Sequence, residues 1–502
     1  MRAIACCILT IVGLLLLATL AKTEPQTPRI WDDAAFEEWA TPIAALNIRP
    51  GHYTSAEYYQ VPADNLRTYP VYPPDKEPAG YWEWLQQQMP APLVDAASIH
   101  SAQDWIAAGE RAFREIGKVT ARTSDPQILR LARDPATFAG ADTLPDGSIL
   151  DLRWVVTERG VQITIAECSA CHRHIRSDKS VLFAGPPDGP GERSYNRPRA
   201  LIGPLRQNGS LRDFAGVPPG EFFWRMTATP WAPDERVERI RGIADFTPEL
   251  GAIVAGKGGA VFLRPNGSPF YGTKIPDLHT THYSRYLDAT GTHRLRGAED
   301  IGRYAALITG ADSLDFGPHH MLFEKRHIAY RYADEVLNAL GMYVMSLEPP
   351  RNANVAPQEA LELGEQIFRR EGCARCHTPP NYTTGGLTLA TGYRMPPSHP
   401  NRSDVLSLTA ETDPALALKT RKGTGFYKIP SLRGVWYRPR LMHDGALTSL
   451  EEMFDPARQS PDYEPRGWNP VDVTKRAIAG HPFGLAMSSD DKRALIAFLR
   501  SL

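Results

Sequence analysis

Two thiols and an imidazole stand within five residues at Cys373-Ala-Arg-Cys376-His377, and again at Cys168-Ser-Ala-Cys171-His172. Cys-x-x-Cys-His is the attachment signal for c-type haem. The thiols add to the two vinyl groups and the imidazole becomes the proximal iron ligand. A single match could be half of a zinc site or a disulfide pair. Here two complete matches, each ending in the required His, account for every cysteine beyond residue 7. A shared four-cysteine zinc site is the rival reading, and it leaves both adjacent histidines without a task. The expected cofactors are therefore two covalently bound haem c groups. Cys168, Cys171, Cys373 and Cys376 hold them, and His172 and His377 ligate the iron.

A chain of 502 residues is long enough for two or three domains. Its net charge of −1 and the absence of a basic stretch exclude the electrostatic signature of a nucleic-acid binder. The N-terminus reads as a secretory signal. Arg2 supplies the positive charge, Ile4 to Leu20 is an apolar run, and Thr19-Leu20-Ala21 offers a small-residue cleavage site before Lys22. Left uncleaved, the same run would be a membrane anchor, and membrane contact is expected only there. The folded part is expected outside the cytoplasmic membrane, in the periplasm. Four unpaired cysteines make sense in an exported protein if haem consumes them.

Four regions are expected. Residues 1–21 form the signal peptide. Residues 22–150 form a Pro- and aromatic-rich extension packed on the first haem domain, with helices at Trp31–Ala45 and Ser101–Val119. Residues 151–350 carry the first haem signal, approached through an extended segment at Val161–Ile165. A Pro/Gly-rich loop follows, and then helices at Ala298–Thr309 and Phe323–Leu347. Residues 351–502 open with a helix after Pro357 that carries Leu361, Gly364, Ile367 and Phe368 on one face. They close with a helix after Ser488 that carries Leu495, Ile496 and Leu499. A first helix with Gly at its crossing point, a haem signal, a loop-rich middle and a terminal helix are similar to the class I cytochrome c fold. The fold class expected is mainly α: two cytochrome c-like haem domains with loop-rich, little-β surroundings.

The C-terminal region carries a further pattern. Lys428-Ile-Pro-Ser-Leu-Arg-Gly-Val435 is followed by Met442-His-Asp-Gly445 and Leu450-Glu-Glu452. This resembles the C-terminal half of the bacterial dihaem cytochrome c peroxidases and of MauG. The match is good over about residues 356–502 and holds only in outline over 150–350. Within that superfamily, Cys-Ser-Ala-Cys-His and Gly480-His-Pro-Phe-Gly-Leu485 are closer to the dihaem rubber-oxygenase branch.

The departures from the family pattern carry information. The position of the peroxidases' second-haem Met, a Tyr in MauG, is Ala457 here. Met453 and Met487 are nearby. His481, in the Gly-flanked segment, is the ligand that the oxygenase branch implies. The null alternative for His481 is a surface His. The position of the peroxidases' distal His is Asp188. His279, His282, His293, His319, His320 and His327 remain as residues that could fold back over the first haem. Arg294, Arg296 or His293 could lie beside its propionates. His443, Asp444 and Gly445 shape the family's turn. Family members relay electrons through a Trp, for which Trp224 and Trp231 are candidates, each equally readable as a core anchor. They often bind calcium between the domains.

Three functions follow from the resemblance. In the first, electrons from a small redox protein or other donor enter at the C-terminal haem and reduce peroxide at the N-terminal haem, where His172 is the catalytic ligand. In the second, the first haem activates dioxygen beside an apolar substrate. In the third, both irons are six-coordinate and the chain only carries electrons.

Overall fold

The computed structural model describes residues 27–502 apart from 177, 188–195, 206–217, 244–246, 248–249, 252, 254–266, 312–315, 318, 320–327, 329, 354 and 471. The expected signal segment lies outside the described residues, as do Asp188, His320 and His327. Among the described residues no helix is long and apolar enough to cross a membrane. Helix and irregular chain predominate, and the sheets have only two or three strands each.

Six helices position the cysteine motifs: α1 Ala102–Glu115, α2 Pro219–Thr227, α3 Ala298–Ala306, α4 Asp334–Ser346, α5 Gln358–Arg370 and α6 Ser489–Leu499. Side chains cap two of them. The Ser101 hydroxyl accepts from the Asp104 amide at 3.1 Å, and that of Ser488 from the Asp491 amide at 3.1 Å, each satisfying an orphan donor of the first turn. α1 crosses α4 and α5 crosses α6, and both crossings are built on a glycine. A Cβ on Gly109 would lie 1.9 Å from the Ala339 carbonyl oxygen, and one on Gly364 would lie 2.2 Å from that of Ala494. Neither helix can approach its partner with a larger residue there. Phe113, Leu337 and Leu340 bury the first crossing; Phe368, Leu495 and Phe498 bury the second.

The cysteines follow α5 at once, at Cys373. After α1 the chain instead makes an excursion. Two strands of that excursion, β2 Leu152–Thr157 and β3 Gly160–Ile165, form an antiparallel sheet with β1 Thr68–Pro70, which comes before α1. The chain then returns to where it left, because the Glu167 amide donates to the Ile116 carbonyl at 2.9 Å and the Lys118 amide to that of Ile165 at 2.8 Å. Cys168 therefore stands beside the end of its helix in space, as Cys373 does in sequence. α1 was assigned from sequence to the extension at 22–150, and it packs on α4.

The expected helix at Trp31–Ala45 is only Asp33–Phe36. Beyond it the chain is drawn into extended pairing: the Thr41 amide donates to the Thr292 carbonyl at 2.8 Å, and Ala40 bridges His293. Tertiary bonds override local propensity there. Val161–Ile165 is a strand as expected, Ala298–Thr309 is helical with a π turn over Leu307–Ala311, and Ser101–Val119 is helical only over Ala102–Glu115.

Candidate functional site

Both Cys-x-x-Cys-His motifs open into one cavity of about 1160 Å³. That exceeds the ~300–1,000 Å³ that usually holds one small molecule. The four cysteines are thiols rather than disulfides. Burial pushes Cys168 and Cys376 up, and Cys373 up to about 11. Among the described residues no group of three or more His, Cys, Asp or Glu is gathered as for a metal ion, so the two cysteine pairs do not form one zinc site. The motifs share a local shape: the His172 amide donates to the Cys168 carbonyl (3.1 Å) and the His377 amide to that of Cys373 (2.9 Å).

Each motif histidine is held through Nδ1. His172 donates to the Pro276 carbonyl at 3.2 Å. His377 donates to the Tyr382 carbonyl at 3.2 Å, and the Pro430 carbonyl also bonds its ring. Such a bond fixes the tautomer with the proton on Nδ1, so that Nε2 carries the lone pair that ligates a metal. Pro276 and Pro430 occupy equal places in Lys274-Ile-Pro-Asp-Leu278 and Lys428-Ile-Pro-Ser-Leu432. The chain has thus used one pentapeptide twice to orient its imidazoles. Comparing the sequence with itself would have exposed this repeat.

In the C-terminal half, His481 lines the cavity. Burial pushes its imidazole down to about 3, and the nearby His377, itself pushed down to about 4 by burial, adds to the effect. Both rings are therefore neutral, the form that ligates a metal. His481 is not the surface residue of the bland reading. Its Nδ1 is buried with no hydrogen-bond partner. Its backbone sits at φ +49°, in the left-handed region that non-glycine residues rarely adopt. The surroundings enforce that shape. The His481 amide donates to the Ala410 carbonyl at 2.5 Å, and Gly480 lies so close to Thr412 that a Cβ would meet its Cα at 2.4 Å. The fully buried guanidinium of Arg458 donates to the carbonyls of His481 (2.9 Å), Met453 (3.0 Å) and Ile478. Arg458 directly follows Ala457, where the peroxidases place their methionine; sequence reasoning overlooked it. His443 also lines the cavity, with Nδ1 against the Thr412 hydroxyl at 3.2 Å, and Asp444 pairs with Arg476 at 2.8 Å. Met442 and Met453 reach the cavity as well, and Met487 packs against Gly484.

In the N-terminal half, the fully buried Arg173 holds the motif turn. It donates to the Ser169 carbonyl at 2.7 Å and pairs with Asp151. The described histidines lining the whole cavity are His172, His377, His443 and His481, and the described methionines are Met226, Met442 and Met453. The other candidates lie elsewhere. His279 is bound to Asp277 (2.9 Å), His282 to Glu348 (3.2 Å), His293 lies tilted against Trp39, and His319 meets Trp231 edge-on. Arg294 donates to Asn401 and Arg296 pairs with Asp300, so neither reaches the cavity. Trp224 and Trp231 do not line it either; Arg241 covers the Trp224 ring. The cavity wall here is Phe113, Phe222, Phe223, Leu287, Ile301 and Leu340, with the rings of Tyr304 and Tyr330.

The Lys274 ammonium also faces the cavity. Lys274 Nζ donates to the Arg440 carbonyl at 3.3 Å, and among the described residues no carboxylate pairs with it. Enclosure pushes its ammonium down to about 7. Paired thiols, oriented imidazoles, apolar walls and a waiting cation fit porphyrins with acidic side chains.

No protein-family model matches the chain, and no curated protein does. Solved structures similar to it include Kuenenia stuttgartiensis hydrazine synthase, at 16% identity and TM-score 0.27 over 56% of this chain and 86% of that one. A MauG-like protein associated with microbial copper homeostasis overlaps at 17% identity and TM-score 0.29, over 48% and 76%. A variant of the diheme peroxidase BthA from Burkholderia thailandensis overlaps at 18% identity and TM-score 0.26, over 52% and 78%. These names include the groups that the C-terminal motifs resemble. Overlaps this loose carry no residue or activity across.

Proposed function

We propose that the chain is an exported dihaem c-type oxidoreductase with two unequal irons. The observation that carries this reading is the shared cavity. Two Cys-x-x-Cys-His motifs enter it with their imidazoles held alike through Nδ1, and His481 lies near the His377 ring. Bound haem would supply electron transfer where two histidines would hold it and binding of peroxide or dioxygen where one would. Cys373, Cys376, His377 and His481 would hold the first. Cys168, Cys171 and His172 would hold the second. Arg173 and Pro276 keep His172 in register, Arg458 and Gly480 keep His481 in register, and Lys274 offers a counter-charge to a propionate. Electrons from a donor protein would enter at the C-terminal unit, residues 351–502. Peroxide would be reduced in the N-terminal unit, residues 151–350 together with α1. Dioxygen activation is the second reading, favoured by the phenyl and aliphatic wall around the N-terminal site. The periplasm is the proposed location, and calcium between the units remains part of the family expectation.

The test is peroxide-dependent oxidation of a reduced cytochrome by protein matured in a host competent for c-type haem. Turnover supports the peroxidase reading. Dioxygen uptake with an apolar substrate and no peroxide turnover would support the oxygenase. Neither activity, with both irons six-coordinate, would leave electron carriage alone.

A further inference from the structure

The two pentapeptides do more than orient their own histidines, because a buried ion pair ties one to the other. Asp277, directly after Pro276, accepts from Arg438 Nε at 3.1 Å and from the Tyr437 hydroxyl at 2.6 Å. Its other oxygen accepts from His279 Nδ1 at 2.9 Å. Arg438 Nη1 donates to the Ser431 carbonyl at 2.7 Å, and Ser431 directly follows Pro430. Its Nη2 donates to the Arg433 carbonyl at 2.6 Å and the Thr280 hydroxyl at 3.2 Å. The two side chains are only 3% and 9% exposed. A continuous bridge results: His172, the Pro276 carbonyl, Asp277, Arg438, Ser431, the Pro430 carbonyl, His377.

We propose that Asp277 and Arg438 are positioning residues that couple the two proximal imidazoles, so that this pair sets both haem potentials and speeds electron passage between the haems. The inference rests on the dihaem reading above. Its physical basis is twofold. A hydrogen bond to the ligating imidazole's far nitrogen tunes the metal that the imidazole holds. A buried charge acts over longer distances than a solvated one. In the intact pair the charges cancel. Removing either one exposes both irons to the other, and the sign depends on which is removed.

The experiment uses full-length holoprotein and begins with a haem count. Fewer than two haems in the unsubstituted protein defeats the dihaem reading itself. With two haems present, spectroelectrochemistry of Asp277→Asn should show both potentials raised, since an uncompensated Arg438 favours the reduced irons. Arg438→Gln should lower both. The rate of electron exchange between haems in the half-reduced protein should fall about tenfold in each. A purely structural pair would alter haem content or thermal stability without this mirrored shift. Shifts of the same sign from both substitutions, shifts confined to one haem, or an unchanged exchange rate would overturn the proposal. If one variant fails to mature, the other carries the test through its own predicted sign.

Discussion

Gly109 lies against Ala339 in the N-terminal half as Gly364 lies against Ala494 in the C-terminal half. His172 rests on the Pro276 carbonyl as His377 is bonded by that of Pro430. Up to the proximal imidazole the halves are built with the same parts. On the far side they diverge. The C-terminal half spends a strained backbone, two glycines at positive φ and a buried arginine on presenting His481. The N-terminal half presents a wall of phenyl, aliphatic and phenolic groups. On the proposed dihaem reading, holding a haem and choosing its chemistry would be separable tasks. The first is solved once and repeated; the second is solved differently in each half, by the turn that carries His481 in one and largely by helix side chains of α1 to α4 in the other.

Substitution of the proximal ligands should separate the halves most strongly. His172→Ala is expected to abolish turnover and leave the C-terminal haem's spectrum near normal. His377→Ala is expected to starve an intact N-terminal site of electrons. Steady-state turnover beside visible spectra checks both, and equal loss of both spectra from either change would erase the distinction. Next in size, His481→Ala should remove one low-spin signal from the electron spin resonance spectrum and move that haem's potential. If Met453→Ala does so instead, the sixth ligand has been misassigned.

Smaller effects probe the scaffolds. Asp151→Ala removes the carboxylate that faces the buried Arg173 guanidinium, and should cost ~3–5 kcal/mol in denaturant titration, with the loss centred on the N-terminal unit. Gly109→Ala and Gly364→Ala force the paired helices apart. Each should cost ~1–3 kcal/mol or somewhat more, and comparable values would support the view that the crossings are equivalent. A negligible cost at Gly109 would mean that the two units are not built alike.

How much of this was legible in sequence varies with distance along the chain. Gly364 and Ser488 were read correctly because their signals are local, a helical period and a cap; Cys373 and His377 stood out for the same reason, as a motif. His481 emerged from the resemblance and from the Ala457 vacancy in the peroxidase pattern, not from its own surroundings. Gly109 was missed because an excursion of sheet separates α1 from its cysteines, hiding the unit that Gly364 made plain. Arg458 and the Asp277–Arg438 pair were missed for another reason. Buried guanidinium groups that bind carbonyls far away in sequence leave no periodic trace. The Trp31–Ala45 helix failed because pairing with Thr292 and His293 outweighed its amphipathic pattern.

The central claim is the inequality of the two sites, and carbon monoxide binding to the reduced holoprotein tests it most directly. With two haems counted per chain, titration should saturate at one carbon monoxide per chain, and His481→Ala should raise this to two. Two six-coordinate low-spin irons that bind none, or two that bind equally before any substitution, would contradict the account.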